Sequence, residues 1–466
     1  MFSIFENSFR IKQTMKKLYI ENLGCAKNQV DAEVLAYRLR DTYSLTSEAQ
    51  EADLILVNTC GFIESAKEES LNTFFSLRND YPEKKIILCG CLAQRYAEDL
   101  TKDLVEADAI FGNRDLRKIT DLVSSLEAKT ETEKTQNIQK SLCMVPDYPD
   151  PRDEEDTRDK LFSFPGSAYL KISEGCNHCC SYCAIPVIRG PLRSRPMDSV
   201  LSEAKRLIDS GVKELNLIAQ DLSAYGWDWD RKRHFEELLE KLCAFEGDFS
   251  IRMLYIHPDW MTDSLIECVK RNPKILHYFD IPFQHASAPI LKKMGRVGDL
   301  NSYLKLIEKI RTSIPDAVIR TTLMLGFPGE KEEDYKVLET FTKEARFNWM
   351  GSFVYSREED TAAFAMTDEE EHNKLAQVSA RRQKRLQKIQ EDITTQKLQD
   401  FVGNIYPVLI EENISGEDLS IGRIYSQAPE VDGLTVVMGR DMKPGSVYKC
   451  RITRVRNVDL EAVKID

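Results

Sequence analysis

The sequence has no apolar run approaching the roughly 18 to 20 residues that a membrane-spanning helix requires, so a soluble protein with no membrane partner is expected. Its opening stretch, "MFSIFENSFRIKQTMKKLYI", carries an acidic residue early and no long apolar core, which argues against a secretory signal; Met15 offers an alternative start. Basic charge is scarce as well. Against 76 Asp and Glu there are only 64 Lys and Arg, a net charge of -12, which argues against nucleic-acid binding through a broad phosphate-neutralising surface and leaves room only for a local basic groove. Disulfide-scale crowding is missing too. Twelve cysteines in 466 residues are too sparse for a small disulfide scaffold, and without an export signal the expected compartment is the reducing cytoplasm, where thiolates are free to bind metal.

What is present is an α/β pattern. A chain this long exceeds one hydrophobic core, so two to four domains are expected. In the first third, "KLYIENLG", "ADLILVNT", "KKIILCG" and "ADAIFG" alternate with helical stretches near Val30 to Arg40, Ser65 to Arg78 and Arg95 to Leu104, which predicts a parallel sheet covered by helices. From about Ser124 to Lys160 charges and prolines replace apolar residues, and the stretch reads as a linker. Six strand candidates follow: Ala168 to Ile172, Lys213 to Ile218, Arg252 to Ile256, Tyr278 to Ile281, Ala317 to Leu325 and Met350 to Tyr355. Separated by helices, they suit a partial (β/α)6 barrel better than a closed eight-fold one. Asp368 to about Phe401 suits a long exposed helix, and the glycine-punctuated remainder a small antiparallel β-barrel. The expected domains are 15–125, a linker 126–160, a barrel with trailing helix 161–400, and an end domain 401–466.

Residues 174 to 183, "EGCNHCCSYC", place four cysteines within eight positions. Two registers are open, Cys176, Cys180 and Cys183 as C-x3-C-x2-C, or Cys176, Cys179 and Cys183 as C-x2-C-x3-C. Either gives three soft donors for three irons of a 4Fe-4S cube, with the fourth iron open. The rival is a zinc knuckle from Cys176/Cys179 and Cys180/Cys183, which would have to fold back tightly on itself. A second group lies upstream. Cys25, Cys60 and Cys91 each follow an apolar strand run, so all three should gather at one edge of a parallel sheet, where ligands bind. Read singly they are ordinary buried thiols; three in register point to a shared task. Cys89, inside its strand, suits core packing, and Cys143, Cys243, Cys268 and Cys450 stand alone.

C-x3-C-x2-C with Tyr182 before its last cysteine, after the first strand of a six-unit barrel, resembles the radical S-adenosylmethionine (SAM) enzymes. The resemblance implies Cys176, Cys180 and Cys183 as ligands, with SAM chelating the open iron and cleaved there to a 5'-deoxyadenosyl radical. Cys179 is left over. With the upstream cysteines and the end domain, and with "ELNLIAQDLSAYG", "YFDIPFQHASAPILKKMGR", "TLMLGFPGE" and "FVYSREEDTA", the chain resembles the methylthiotransferases from about Lys17 onward. That implies an auxiliary 4Fe-4S cluster on Cys25, Cys60 and Cys91 that delivers sulfur, a substrate-binding TRAM end domain, and a low-potential electron donor.

Members of that family act on an adenosine of tRNA or on an aspartate of the small-subunit ribosomal protein S-twelve. "GRIYSQAPEVDG" resembles the ribosomal-protein branch, and residues 401–466 hold eight Lys and Arg against ten Asp and Glu, a poor tRNA surface. The expected reaction is therefore methylthiolation of the β-carbon of that aspartate, with tRNA modification as the rival. From other classes, a non-catalytic iron-sulfur electron carrier with an RNA-binding tail and a zinc-binding adaptor compete. Asp360 stands where the family commonly has glycine. Glu214, Gln220, Asp221, Tyr225, Gln284, His285 and Arg320 fall at or beyond predicted strand ends and are candidates to line SAM or substrate. Gly326 and Gly329 would let backbone approach the cofactor closely, and His257 would cap its loop.

Overall fold

The computed structural model describes residues 15–128, 141–148 and 157–465. They fall into two compact units. The first comprises the described residues to Gly61, Ser65–Tyr148 and Arg158–Lys160; the second comprises Phe62–Glu64, Thr157 and the chain from Leu161 onward.

In the first unit β1 (Lys16–Asn22), β2 (Tyr43–Leu45), β3 (Leu54–Thr59), β4 (Lys85–Gly90), β5 (Ala109–Phe111) and β6 (Leu142–Met144) form one parallel sheet in the order β2-β1-β3-β4-β5-β6. Every residue of β3 is buried, as a strand covered on both faces requires. Alternate residues feed two cores. Leu54 and Leu56 pack with α1 (Ala26–Leu39) and α5 (Ile119–Ala128), whereas Ile55 and Val57 pack on the side of α2 (Glu64–Asp80), α3 (Cys91–Arg95) and α4 (Ala97–Asp103). Cys89 lies in the first of these cores and is fully buried. One expectation changes. Part of the stretch read as linker is the edge strand β6, paired in register with β5; its three residues are too few for a pattern to show. The rest of that stretch lies largely outside the described residues.

In the second unit β7 (Ser167–Lys171), β10 (Glu214–Ile218), β11 (Ser250–Met253), β12 (Ile275–Asp280), β13 (Val318–Leu325) and β14 (Trp349–Val354) form a six-stranded parallel sheet in sequence order. Short strands β8 (Ser173–Glu174) and β9 (Arg193–Ser194) pair beside β7's end. The intervening helices are α6 (Met197–Asp209), α7 (Phe235–Cys243), α8 (Asp263–Arg271), α9 (Ala288–Lys293), α10 (Leu300–Ser313) and α11 (Glu332–Ala345), whose apolar faces join one large core. The long helix α12 (Glu369–Gln399) follows. It is not exposed all round: Ser379, Leu386, Gln390, Ile393 and Thr394 are buried, and Gln383, Gln390 and Thr394 donate to the carbonyls of Ser352, Phe347 and Asn348 along and beside β14.

The remaining strands, β15 (Ile405–Asn413), β16 (Leu419–Arg423), β17 (Thr435–Met438), β18 (Val447–Arg456) and β19 (Asp459–Lys464), close into a barrel. Its pairs are antiparallel except β17 with β19, which run parallel. This barrel seats against the amino-terminal ends of the six parallel strands. Arg423 Nη1 donates to Glu214 Oε1 at 2.9 Å, Arg252 Nη1 to the Tyr425 carbonyl at 2.7 Å, and Trp349 Nε1 to the Ser426 carbonyl at 2.6 Å.

Candidate metal and cofactor sites

In the first unit the chain winds from β1 to the edge at β2 and then crosses to β3, so the strand order reverses between β1 and β3. Open α/β sheets bind ligands at such a switch point, beyond the carboxyl ends of the strands. Cys25 is the N-cap residue of α1, Cys60 follows β3 directly, and Cys91 opens α3 after β4. Cys25 is exposed, Cys60 half-buried and Cys91 buried. The three loops touch. A β-carbon on Gly24 would stand 3.1 Å from Cys60 Cβ, and one on Gly61 would stand 2.7 Å from the Leu92 amide. Asn28 ties them together: its Nδ2 donates to the carbonyls of Leu23 and Thr59, both at 2.9 Å, while its Oδ1 lies 3.3 Å from Cys91 Sγ. Asn113 Nδ2 stands 3.4 Å from the same sulfur. Ser70 holds Cys60 from below, accepting from its amide at 3.1 Å and donating to its carbonyl at 3.2 Å. Cys89 is different: burial pushes its thiol far up, which suits a core side chain.

The second cysteine group follows the carboxyl end of β7. Glu174 opens the loop. Burial would raise its carboxyl, but Arg189, Lys171 and Arg193 outweigh that and hold it well below the usual range; Gln220 Nε2 donates to it at 2.7 Å. The loop is pinned by the Cys176 amide on the Gly190 carbonyl at 3.1 Å and by Asn177 Oδ1 on the Leu192 amide at 3.0 Å. Burial pushes the Cys176 and Cys183 thiols up to about 12; Cys183 and Cys180 add to the rise at Cys176, and Cys180 to that at Cys183. Cys179 is exposed, whereas Cys176, Cys180 and Cys183 are half-buried. Among the described residues no three His, Cys, Asp or Glu side chains are placed to hold a single metal ion; the donors of a cube stand apart, one thiolate per iron.

The candidate polar residues separate into two ends. Gln220, Asp221, Gln284, His285 and Gly326 follow the carboxyl ends of β10, β12 and β13, on the cysteine side. Glu214 and Arg320 lie instead near the amino-terminal ends of β10 and β13 and serve the end barrel. Glu214 pairs with Arg252 at 3.0 Å and Arg423 at 2.9 Å, and Arg320 with Asp280 at 2.9 Å and Asp432 at 3.4 Å. Their segments match the family, but their strands begin rather than end there. Tyr225 is a buried support whose hydroxyl donates to the Arg195 carbonyl at 2.8 Å. His257 caps its turn, Nδ1 accepting from the Asp259 amide at 3.3 Å, and burial with Arg296 and His178 nearby lowers it to about 3, so it is neutral. Gly326, at φ +75°, is also closely packed: a β-carbon there would stand 2.6 Å from Ser379 Oγ of α12. The helix occupies the space a β-carbon would need, as Lys293 does at Gly329.

Sequence reasoning missed the supports. His178, in the cysteine loop, lies 2.7 Å from Asp221 and stacks on His257 with ring centroids 4.2 Å apart. Tyr255 and Gln284 adopt φ of +69° and +68° just past β11 and β12, a strained conformation of the kind that gathers at functional sites. Gln220 Oε1 and Gln284 Oε1 are buried with no hydrogen bond, so a polar ligand at this end would satisfy groups that the fold leaves open; His285 Nε2 instead faces the buried Glu330 carboxylate at 3.7 Å. A sulfur trio with unfilled polar groups beside it fits an iron-sulfur cluster that presents an open iron to a polar cosubstrate.

The comparisons with known proteins agree with this division. Residues 17–112 match an uncharacterized protein family, UPF0004; residues 170–341 match the radical SAM superfamily; and residues 402–465 match the TRAM domain. Among solved structures, the radical SAM methyltransferase TsrM from Kitasatospora setae shares the fold with TM-score 0.53 at 13% identity, covering 72% of each chain. The ribosomal protein uS12 methylthiotransferase RimO of Geobacter sulfurreducens is 40% identical over 96% of this chain and 98% of its own. That of Treponema denticola is 42% identical over 95% and 99%. Kinship at this level from end to end, with both cysteine groups and the end barrel in place, shows that the chain belongs to the RimO family of radical SAM methylthiotransferases.

Proposed function

We propose that this enzyme attaches a methylthio group to the β-carbon of an aspartate in ribosomal protein uS12, the S-twelve of the small subunit, in the cytoplasm. The near-full-length identity to uS12 methylthiotransferases carries the reading. Cys176, Cys180 and Cys183 would hold the SAM-binding 4Fe-4S cluster, a choice supported by the half-buried placement of all three beside an exposed Cys179. Cys25, Cys60 and Cys91 would hold the auxiliary cluster, supported by their place at the switch point and by Asn28. When bound, these groups with SAM and a low-potential electron donor supply hydrogen abstraction from an unactivated carbon and delivery of a methylated sulfur.

The chain's own side chains hold and orient. Gln220 fixes Glu174 under the cysteine loop. Asp221, itself bonded by the Ser223 amide at 3.0 Å and the His257 amide at 3.2 Å, fixes His178. Gln220 and Gln284 offer unfilled polar atoms to the cosubstrate. The test is mass spectrometry of uS12 and of digested tRNA from a strain lacking the gene. The aspartate should lose its methylthio group and regain it on complementation. An unchanged uS12 with a vanished tRNA methylthio-nucleoside would overturn the substrate assignment. Release of no 5'-deoxyadenosine by the reduced, reconstituted protein given SAM would leave an electron carrier instead. Iron per chain should fall from about eight to about four in a Cys25→Ala, Cys60→Ala, Cys91→Ala variant.

A further inference from the structure

Arg296 lies in the turn after α9, in a segment that the proposed function leaves without a role. The turn clasps the cysteine loop. The Ser181 amide donates to the Met294 carbonyl at 3.0 Å and the Ser181 hydroxyl to the Lys293 carbonyl at 2.8 Å. Gly295 comes so close that a β-carbon on it would stand 2.6 Å from the Cys179 carbonyl oxygen. Arg296 then turns its guanidinium inward, and the residue is 8% exposed. Nη2 donates to the Pro282 carbonyl at 2.9 Å, while Nη1 faces Tyr182 Oη at 3.3 Å and Cys180 Sγ at 3.9 Å. Its Nε has no partner. None of these acceptors is a carboxylate. A guanidinium cannot shed its proton, and a buried cation with no counter-ion in contact is strongly unfavourable; the Asp259 carboxylate feels this charge but neither bonds nor pairs with it, so an anion at Cys180 would balance the guanidinium at contact.

We propose that Arg296 is a positioning residue of the barrel cluster: its guanidinium is the counter-charge of the sulfur on Cys180 and sets how readily the cluster accepts an electron. This rests on the reading of Cys176, Cys180 and Cys183 as the ligands. Reduction adds one negative charge to the cluster, and a fixed cation against a ligand sulfur stabilises that state more than the oxidised one. Tyr182 is held by the same guanidinium, so cluster charge and loop geometry are coupled through one side chain.

The test uses the full-length chain carrying Cys25→Ala, Cys60→Ala and Cys91→Ala, so that one cluster remains, and an EPR-monitored redox titration without substrate. Arg296→Met should keep about four irons and become at least tenfold harder to reduce, a downward shift of about 59 mV for one electron. Arg296→Lys, which restores charge without the fork, should stay within about threefold of the parent. A Met variant with iron and an unmoved potential overturns the proposal, as does a Lys variant that behaves like the Met variant. Should the Met variant take up no iron, the Lys variant decides: iron at the parent potential supports the charge, and an equally empty protein overturns it in favour of a purely geometric clasp. Cys180→Ala in the same background checks the ligand reading separately, since retention of about four irons there would remove Cys180 from the ligand set and leave the underlying assignment wrong.

Discussion

Asp360 shows how one residue can carry a backbone requirement that its type disguises. The family's usual glycine is replaced here, yet the position has φ +60°, in the left-handed region that Asp enters more readily than most residues and a β-branched residue enters badly. Asp360→Gly should therefore leave the fold intact, with a change within about 1 kcal/mol, while Asp360→Val should cost about 1 to 3 kcal/mol. Chemical denaturation of the two variants checks the contrast. Single residues were also where sequence reading worked least evenly. Cys89 and Cys91 are two positions apart, and only the strand's end distinguishes them: Cys89 lies inside β4 in the core, and Cys91 opens α3 beyond it. Glu214 and Arg320 were misplaced because a family segment locates a strand without saying which end of it faces the chemistry.

At the scale of elements, the first unit's site is made by loops rather than by any one motif. Three strand ends bring three cysteine-bearing loops into contact, and Asn28, in the first turn of α1, bonds two of the loops and faces the sulfur of the third. Asn28→Ala would leave the buried Thr59 carbonyl and the half-buried Leu23 carbonyl short of a partner, at a cost of about 1 to 3 kcal/mol. The same change should lower auxiliary iron, so that iron per chain falls from about eight toward about four; iron and sulfide analysis beside a denaturation curve tests both. Little of this was legible beforehand. The alternation of apolar runs predicts the parallel sheet, and the cysteines' positions predict their shared edge. The reversal at β1 and β3 depends on the three-residue strand β2, which is too short to carry any periodicity. The end barrel was read correctly from short strands and glycines, but the parallel pairing of β17 with β19 is a topological fact that no local pattern announces.

Across the whole second unit, the segment "GRIYSQAPEVDG" is a seat between barrels more than a surface for substrate. Arg423, Tyr425, Ser426 and Asp432 all bond to residues of the six-stranded sheet. Counting acidic residues of the end domain as one outward-facing surface was therefore too simple, since the Glu411 and Asp432 side chains are buried. The joint holds two carboxyls of opposite behaviour. Burial would raise Glu214, yet Arg252 and Arg423 outweigh it and hold it at about 2. Glu214→Gln leaves two buried cations undercompensated and should cost about 3 to 5 kcal/mol, read as a lower denaturation midpoint. Its contribution is complete above its unfolded value and is lost as the pH falls toward 2. Asp432 runs the other way: burial raises it to about 6 against Arg320, Tyr278 and Arg252. Between roughly pH 4 and 6 the folded chain then binds a proton that the unfolded chain has released, so stability falls as the pH rises through that window, by up to about 3 kcal/mol. The stability of the parent minus that of Asp432→Asn should decline from pH 4 to 6 and be flat above 7; denaturant titrations at each pH give the curve.

Helix α12 meets both ends of this unit. Ser379 fills the space at Gly326 and Arg382 pairs with Glu330 at 2.9 Å on the cysteine side, whereas Thr395 donates to the Asn457 carbonyl of the end barrel at 3.1 Å. A rigid rod fastened at both ends fixes phase as well as length. One extra residue between Gln383 and Gln390 would swing every later side chain by about 100° around the axis, and a pair of extra turns would keep the faces aligned but lengthen the rod by about 11 Å. Neither change leaves both fastenings engaged, so the sequence between them can drift in chemistry far more freely than in number.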